Sequence, residues 1–233
     1  MPSEPVSLDG SPIRGDHSAE LVMIIYTDYQ CPFCRRFERE TLPVLEERYV
    51  QTRRLRLAVR HNPLESIHPF AADAAVAATC AGRQNSFWRF HDRLFDSSPR
   101  LDETLIRAIA DEIGLNLEDF AACRVGDAVD AVRADAAGAA ALGLRSTPAF
   151  LIGRVQADGR VDVAAIIKGA QPLDEFQRVI DGLLPDSTVS RQGLTGAVGA
   201  TATVLFALLG MRRARGARSY QRAATGGLHY INE

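Results

Sequence analysis

The stretch Leu21-Val22-Met23-Ile24-Ile25-Tyr26, followed by Thr27-Asp28-Tyr29-Gln30 and then Cys31-Pro32-Phe33-Cys34, decides the reading of this chain. The first six residues form an unbroken apolar run rich in branched side chains, the pattern of a strand buried on both faces. Two thiols three residues apart fall on neighbouring positions of one helical turn, close enough to bridge with little backbone movement. Pro32 suits the first helical position, where a missing N–H costs nothing. Cys31 then sits at a helix N-terminus, where unpaired backbone N–H groups and the helix dipole favour thiolate over thiol. Cys34 lies one turn in, better shielded, in the position of a resolving thiol. A strand, a short connection and a helix bearing two such cysteines is the layout of a thiol–disulfide exchanger.

Other uses of the motif fit less well. Half of a tetrahedral zinc site has the same spacing, but a second C-x-x-C or a close Cys/His pair should accompany it. Cys80 and Cys123 stand alone, and His61, His68 and His91 are not at paired ligand spacings. No metal and no organic cofactor is expected. An inert structural pair is the other alternative.

Downstream of the motif, the helix runs towards Tyr49, with Pro43 kinking or restarting it. Leu55 to Val59 is a second strand, completing a β-α-β unit whose strands should be parallel. Residues 66–142 then show helical patterns only. Ser66 to Ala81 is Ala-rich and closes at Gly82, and Phe87, Phe90, Leu94 and Phe95 repeat at helical spacing. Asp102 caps a third segment, Asn116 opens a fourth, and Asp127 to Leu142 forms a fifth, stopped by Gly143. Strands return at Ala149–Ile152 and Val161–Ile167, a hairpin at the sheet edge turning at Asp158-Gly159. Pro172 to Leu184 is a final helix with Leu173, Phe176, Val179, Ile180 and Leu183 on one face. The expected class is α/β: a central mixed sheet flanked by helices, with an all-helical insert. The division is a lead-in at 1–19 with a short edge strand, a sheet domain at 20–65 and 143–184, and the insert at 66–142.

At 233 residues, 46% hydrophobic and 24% charged, the composition is that of an ordinary globular chain. A formal net charge of −2 gives no reason to expect nucleic acid. After a linker at 185–192, the segment 193–211 holds no charged residue, and a basic tail at 212–233, read as disordered, opens with Arg212 and Arg213. The uncharged length is about enough to cross a bilayer core, although Gly, Ala and Thr dilute it. A transmembrane helix, a mobile tail and a helix docked on a partner are the three readings. A membrane helix would set the main domain on the envelope side. The polar N-terminus does not look like a signal peptide, which leaves a cytoplasmic location as the alternative.

The chain resembles the DsbA-like branch of the thioredoxin superfamily. The resemblance is carried by Asp28 through Cys34, by the helical insert, by Arg60-His61-Asn62-Pro63-Leu64 with His68-Pro69, and by Ser146-Thr147-Pro148-Ala149-Phe150 opening the late strand. It covers roughly residues 13–184, and some such domains are fused to membrane proteins such as sodium/proton antiporters or vitamin K epoxide reductase homologues. The resemblance implies a thioredoxin-like fold and a cis Thr147–Pro148 bond packed beside the cysteines. It also implies catalytic Cys31 and Cys34, with substrate binding by Thr147, Pro148, Pro32 and Phe33. The function implied is exchange with extended, cysteine-containing polypeptides, as a disulfide donor recycled by a quinone-linked membrane oxidase. A cytosolic thiol reductase and a non-catalytic peptide-binding or holdase domain tethered to a membrane partner are the alternatives.

Two positions depart from the family pattern. Ile25 stands where relatives often carry a buried acid, leaving Asp28 either as a substitute proton relay or as a cap at the start of the helix. Phe33 stands where the strongest oxidants have histidine, so no charge there supports the Cys31 thiolate. Arg35 and Arg36 either compensate or form a solvated helix face. Cys80 and Cys123 read first as small buried hydrophobes, with a structural disulfide, and hence an oxidising compartment, as the other reading. Structural roles are expected for His61 and His68, and Trp88 is read as insert core.

Overall fold

The computed structural model describes residues 2, 4–98 and 100–185. Strand β2 (Leu21–Thr27) is buried at every position, because it has a strand on each side and helices on both faces. It runs parallel to β3 (Leu55–His61), with Leu21 opposite Leu55, and antiparallel to β4 (Ala149–Val155), with Tyr26 opposite Ala149. The sheet has the order β1-β3-β2-β4-β5, where β1 is Ile13–Arg14 and β5 is Val161–Lys168. β1 is the short edge strand expected in the lead-in, antiparallel to β3. The β4–β5 hairpin forms the other edge and slips register at Ile152/Gly153. Only glycine fits there: a Cβ on Gly153 would lie 2.1 Å from the Asp162 carbonyl oxygen.

Alternation along β2 separates two layers. Leu21, Met23 and Ile25 pack with Phe37, Leu42, Leu45, Phe150, Phe176 and Ile180. Here α1 (Pro32–Arg36), α2 (Leu42–Leu45) and α8 (Leu173–Leu183) cover the sheet. The Phe37 and Phe150 rings lie 4.5 Å apart, and Phe150 meets Phe176 edge-on at 4.8 Å. Val22, Ile24 and Tyr26 face the opposite layer with Ala58, Ala139, Leu144 and Leu151.

The helix after the cysteines is not one regular α-helix. Two π-helical turns, Phe37–Thr41 and Glu46–Val50, follow α1 and α2. The first has a local cause. Pro43 has no N–H for the Arg39 carbonyl, and the Leu42 N–H reaches back to Phe37 instead. The proline therefore restarts the α-helix at α2.

Between β3 and β4 the insert contains α3 (Ala71–Arg83), α4 (Phe87–Ser97), α5 (Glu103–Glu112), α6 (Leu117–Arg124) and α7 (Ala128–Ala141). Asp102 caps α5 by accepting from the Leu105 N–H, and Asn116 caps α6 by accepting from Glu118 and Asp119. The first helix begins at Ala71 rather than Ser66. Pro69 disfavours helical backbone at His68, and residues 64–68 form a turn on the Leu64 carbonyl instead. Trp88 is more than insert core: its Nε1 donates to the Ile13 carbonyl at 3.0 Å, and Arg14 lies 4.1 Å over its ring. It fastens the edge strand to the insert.

Cys80 and Cys123 form a disulfide between α3 and α6, with Cα atoms 5.8 Å apart. This corrects the expectation of two unpaired small hydrophobes; packing of the two helices, invisible in the spacing, brings them together. Among the described residues, no helix is long and apolar enough to cross a membrane. The readings of 193–211 as a membrane or docking helix, of 212–233 as a basic tail and of nearly all the linker lie outside the described residues.

Candidate active site

Cys31 occupies the N-cap of α1, with extended backbone and Pro32 at the first helical position. Its N–H donates to the Asp28 carbonyl at 3.1 Å and its carbonyl accepts from the Arg35 N–H, fixing the turn into the helix. Cys34, two residues inside, is 1% exposed, and Cys31 is 3% exposed. Both are free thiols. The Cys31 Sγ donates to the Thr147 carbonyl at 3.4 Å across a sequence separation of 116. The Thr147–Pro148 peptide is cis, and both residues are buried. Phe33 is 54% exposed with the Arg36 guanidinium 5.4 Å from its ring.

The two thiols are electrostatically opposite. A hydrogen bond from Cys34 lowers the Cys31 pKa to about 6 against the opposing cost of burial, helped by Thr147 and by the backbone N–H groups of Cys34 and Phe33. The Thr147 hydroxyl is buried and has no hydrogen-bond partner among the described residues. Burial pushes the Cys34 thiol well above its ordinary value, and its contact with Cys31 adds to this. One sulfur is poised as thiolate and the other is held as thiol.

Asp28 anchors the surroundings. Its side chain is fully buried. Oδ1 accepts from the Gln30 N–H at 2.8 Å, and Oδ2 accepts from the Leu64 N–H and lies 2.8 Å from His68 Nδ1. Gln30 Oε1 accepts from the Phe70 N–H at 2.6 Å. Asp28 and Gln30 thus tie the 62–70 loop to the turn before Cys31, and the Asp28 backbone favours the Cys34 thiolate. His68 has the structural role expected. His61 is buried against the Tyr29 and Phe87 rings, and burial lowers its pKa to about 4, keeping it neutral.

Sequence reading missed a buried polar chain behind the helix. The Tyr29 hydroxyl lies 2.9 Å from His91 Nδ1, and His91 Nε2 lies 3.5 Å from Glu38. Tyr29 also packs on Phe95 at 4.9 Å, and burial raises its pKa well above the usual tyrosine value. A signal existed: His91 is the polar member of the buried stripe Phe87, Phe90, Leu94, Phe95 on α4.

The chain matches the family model described as Thioredoxin over residues 7–181. It belongs to the thioredoxin family. The solved alpha-DsbA1 of Wolbachia pipientis is 26% identical to this chain, with a TM-score of 0.67, covering 76% of this chain and 92% of that one. A thioredoxin-like oxidoreductase from Silicibacter pomeroyi is also 26% identical, with a TM-score of 0.63 over 75% of this chain and 92% of that one. This thioredoxin-family chain is DsbA-like, with the fold of a thiol–disulfide oxidoreductase. A curated relative, the Na(+)/H(+) antiporter NhaA 1 of Salinispora arenicola, is 31% identical over 164 residues, which is 70% of this chain and 24% of the antiporter. The chain spans about a quarter of the length of the curated relatives it matches.

Proposed function

We propose that this chain is a protein thiol–disulfide oxidoreductase acting through Cys31 and Cys34, in the direction of disulfide donation to extended cysteine-containing polypeptides. The observation that carries the reading is the asymmetry of the pair, one sulfur favoured as thiolate at a helix start and the other held as thiol. A stabilised thiolate stabilises the reduced form, which makes the oxidised form a stronger oxidant.

A substrate thiolate attacks the Cys31 sulfur of the Cys31–Cys34 disulfide. The S–S bond breaks, Cys34 leaves with the electron pair and takes a proton, and a mixed disulfide remains. A second substrate thiolate attacks its partner's sulfur and releases Cys31 as thiolate. The substrate loses two electrons and the protein gains them. The Thr147 backbone would pair with the extended substrate beside Cys31, with Pro148, Pro32 and Phe33 forming the contact surface. Asp28 acts by positioning the 62–70 loop. Turnover requires an oxidant that returns the cysteines to the disulfide; a quinone-linked membrane oxidase has the chemistry. The Cys80–Cys123 bridge supports an oxidising compartment. The antiporter names belong to chains of which this one spans about a quarter, and transport forms no part of the proposal.

The test is the reduction potential of the Cys31–Cys34 pair in glutathione buffers, followed by differential alkylation and peptide mass so that Cys80 and Cys123 are scored separately. A donor should lie nearer DsbA, about −120 mV, than thioredoxin, about −270 mV. A value at the thioredoxin end would make the protein a reductase. The absence of any reversible titration would end the enzymatic reading.

A further inference from the structure

One flank of the cysteine pair carries charge that the fold leaves uncommitted. Arg35, Arg36 and Arg39 line, with Pro32 and Glu40, an open depression of about 490 Å³ beside Cys31. Arg35 Nε donates to the Phe95 carbonyl, and one Arg36 nitrogen donates to the Ala170 carbonyl. The Arg39 side chain is exposed and, among the described residues, makes no hydrogen bond or ion pair. A guanidinium has five N–H donors, so these carbonyl contacts leave most of them free.

None of the three is paired with a carboxylate among the described residues, whereas Arg14, Arg48, Arg60, Arg93 and Arg124 all are. The acids nearby are otherwise engaged. Glu38 turns inward to His91, Glu46 and Asp92 hold Arg14, and Asp96 lies 3.8 Å from Arg93. Glu40 alone opposes three cations in the depression. The groups that favour the Cys31 thiolate are Cys34, Thr147 and backbone N–H groups, so these arginines are not spent on the sulfur either. The whole chain has a formal net charge of −2, which makes the positive patch local. Its field acts within about 8 Å, the Debye length at physiological salt.

We propose that this flank selects substrates: polypeptides with Asp or Glu within a few residues of the reacting cysteine, their carboxylates docking on Arg36 and Arg39 while an apolar neighbour packs on Phe33. The inference rests on the exchange reading and names its substrate class. Arg is suited to the role, because its planar fork matches a carboxylate, and the Arg36 guanidinium already lies over the Phe33 ring, 5.4 Å from its centre.

The experiment mixes the oxidised full chain with two peptides of equal length, one with its cysteine flanked by Glu and the other by Gln. Rates are expressed per thiolate, because flanking carboxylates raise the peptide thiol's pKa. The Glu peptide should react about five- to tenfold faster at low salt, and the two rates should converge near ~0.5 M salt. Arg36→Glu with Arg39→Glu should reverse the order. Arg39→Glu alone, at a side chain bound to nothing, gives the same test with a smaller reversal where the double variant does not fold. Equal rates per thiolate at low salt would overturn the inference, as would a preference that survives both high salt and charge reversal. Equal rates together with binding to phosphatidylserine vesicles that needs Arg36 and Arg39 would reassign the patch to a membrane and equally overturn it. Exchange with neither peptide would remove the underlying function and the inference with it.

Discussion

Two cysteine pairs share this chain and sit at opposite ends of helices. Cys31 is the N-cap of α1, with backbone N–H groups directed towards its sulfur and Cys34 a turn further on. Cys80 lies in the last turn of α3 and Cys123 in the last turn of α6, where the carbonyl end of the dipole disfavours a thiolate. The first pair is three residues apart and free; the second is 43 apart and bonded. The difference teaches that position on a helix, more than burial, separates the sulfur favoured as thiolate from the bridged pair. Cys31 and Cys80 are buried to 3% and 1% exposure, almost equally.

The sharpest way to break this contrast is Cys31→Ser. It should abolish exchange with any thiol substrate while leaving the denaturation midpoint of the reduced fold nearly unchanged at about pH 5.5, below the Cys31 titration, as refolding assays and urea melts would show. Cys34→Ser should accumulate a mixed disulfide on Cys31. Replacing both Cys80 and Cys123 by Ala should do the reverse, retaining exchange and losing up to about 4 kcal/mol of stability for a closed loop of this length. If that double variant lost exchange without losing stability, the division of labour between the pairs would be wrong.

A smaller effect is expected at Asp28. Asp28→Ala removes the acceptor of the Gln30 and Leu64 N–H groups, a loss of about 2–3 kcal/mol from orphaned buried donors. The pH profile of exchange, measured by stopped flow, should keep its shape. A displaced profile would support the proton-relay reading of this residue.

A further effect is a slope of stability with pH in the reduced protein. Cys31 holds its proton less tightly when folded than when unfolded, so the unfolded chain carries more protons from about pH 6 up to the ordinary thiol value of 9.0. Its contribution is complete above that ordinary value and is lost as pH falls through about 6. The raised Cys34 acts with opposite sign only above the ordinary thiol range. Urea midpoints of reduced protein should rise from pH 5.5 to 8.5, and Cys31→Ser should flatten that rise. An equal rise in the variant would move its origin to another group.

Much of this molecule was legible in the sequence because the signals are local. The apolar run 21–26, the Pro32 helix start, the caps Asp102 and Asn116 and the turn at Gly159 each act over a few residues through backbone hydrogen bonding and side-chain period. They produced the elements in order, the βαβ unit, the hairpin edge and the placement of Cys31 at a helix N-terminus. Helix bounds were less secure where proline intervened. Pro69 delayed α3 to Ala71, and Pro43 restarted the helix, one of its two expected effects, through a π-helical turn that the sequence did not signal.

What only the tertiary structure decided depends on contacts between residues far apart in the chain. Thr147 meets Cys31 across 116 residues, and Cys80 meets Cys123 across 43. Asp28 reaches 36 and 40 residues ahead to Leu64 and His68, and Tyr29 reaches 62 ahead to His91. Period and capping carry no information about such pairs, because the packing of sheet and insert brings their atoms together. The sequence by itself determined where a reactive thiol could exist. The fold determined which groups surround it, which cysteines are bridged, and which arginines remain without a partner.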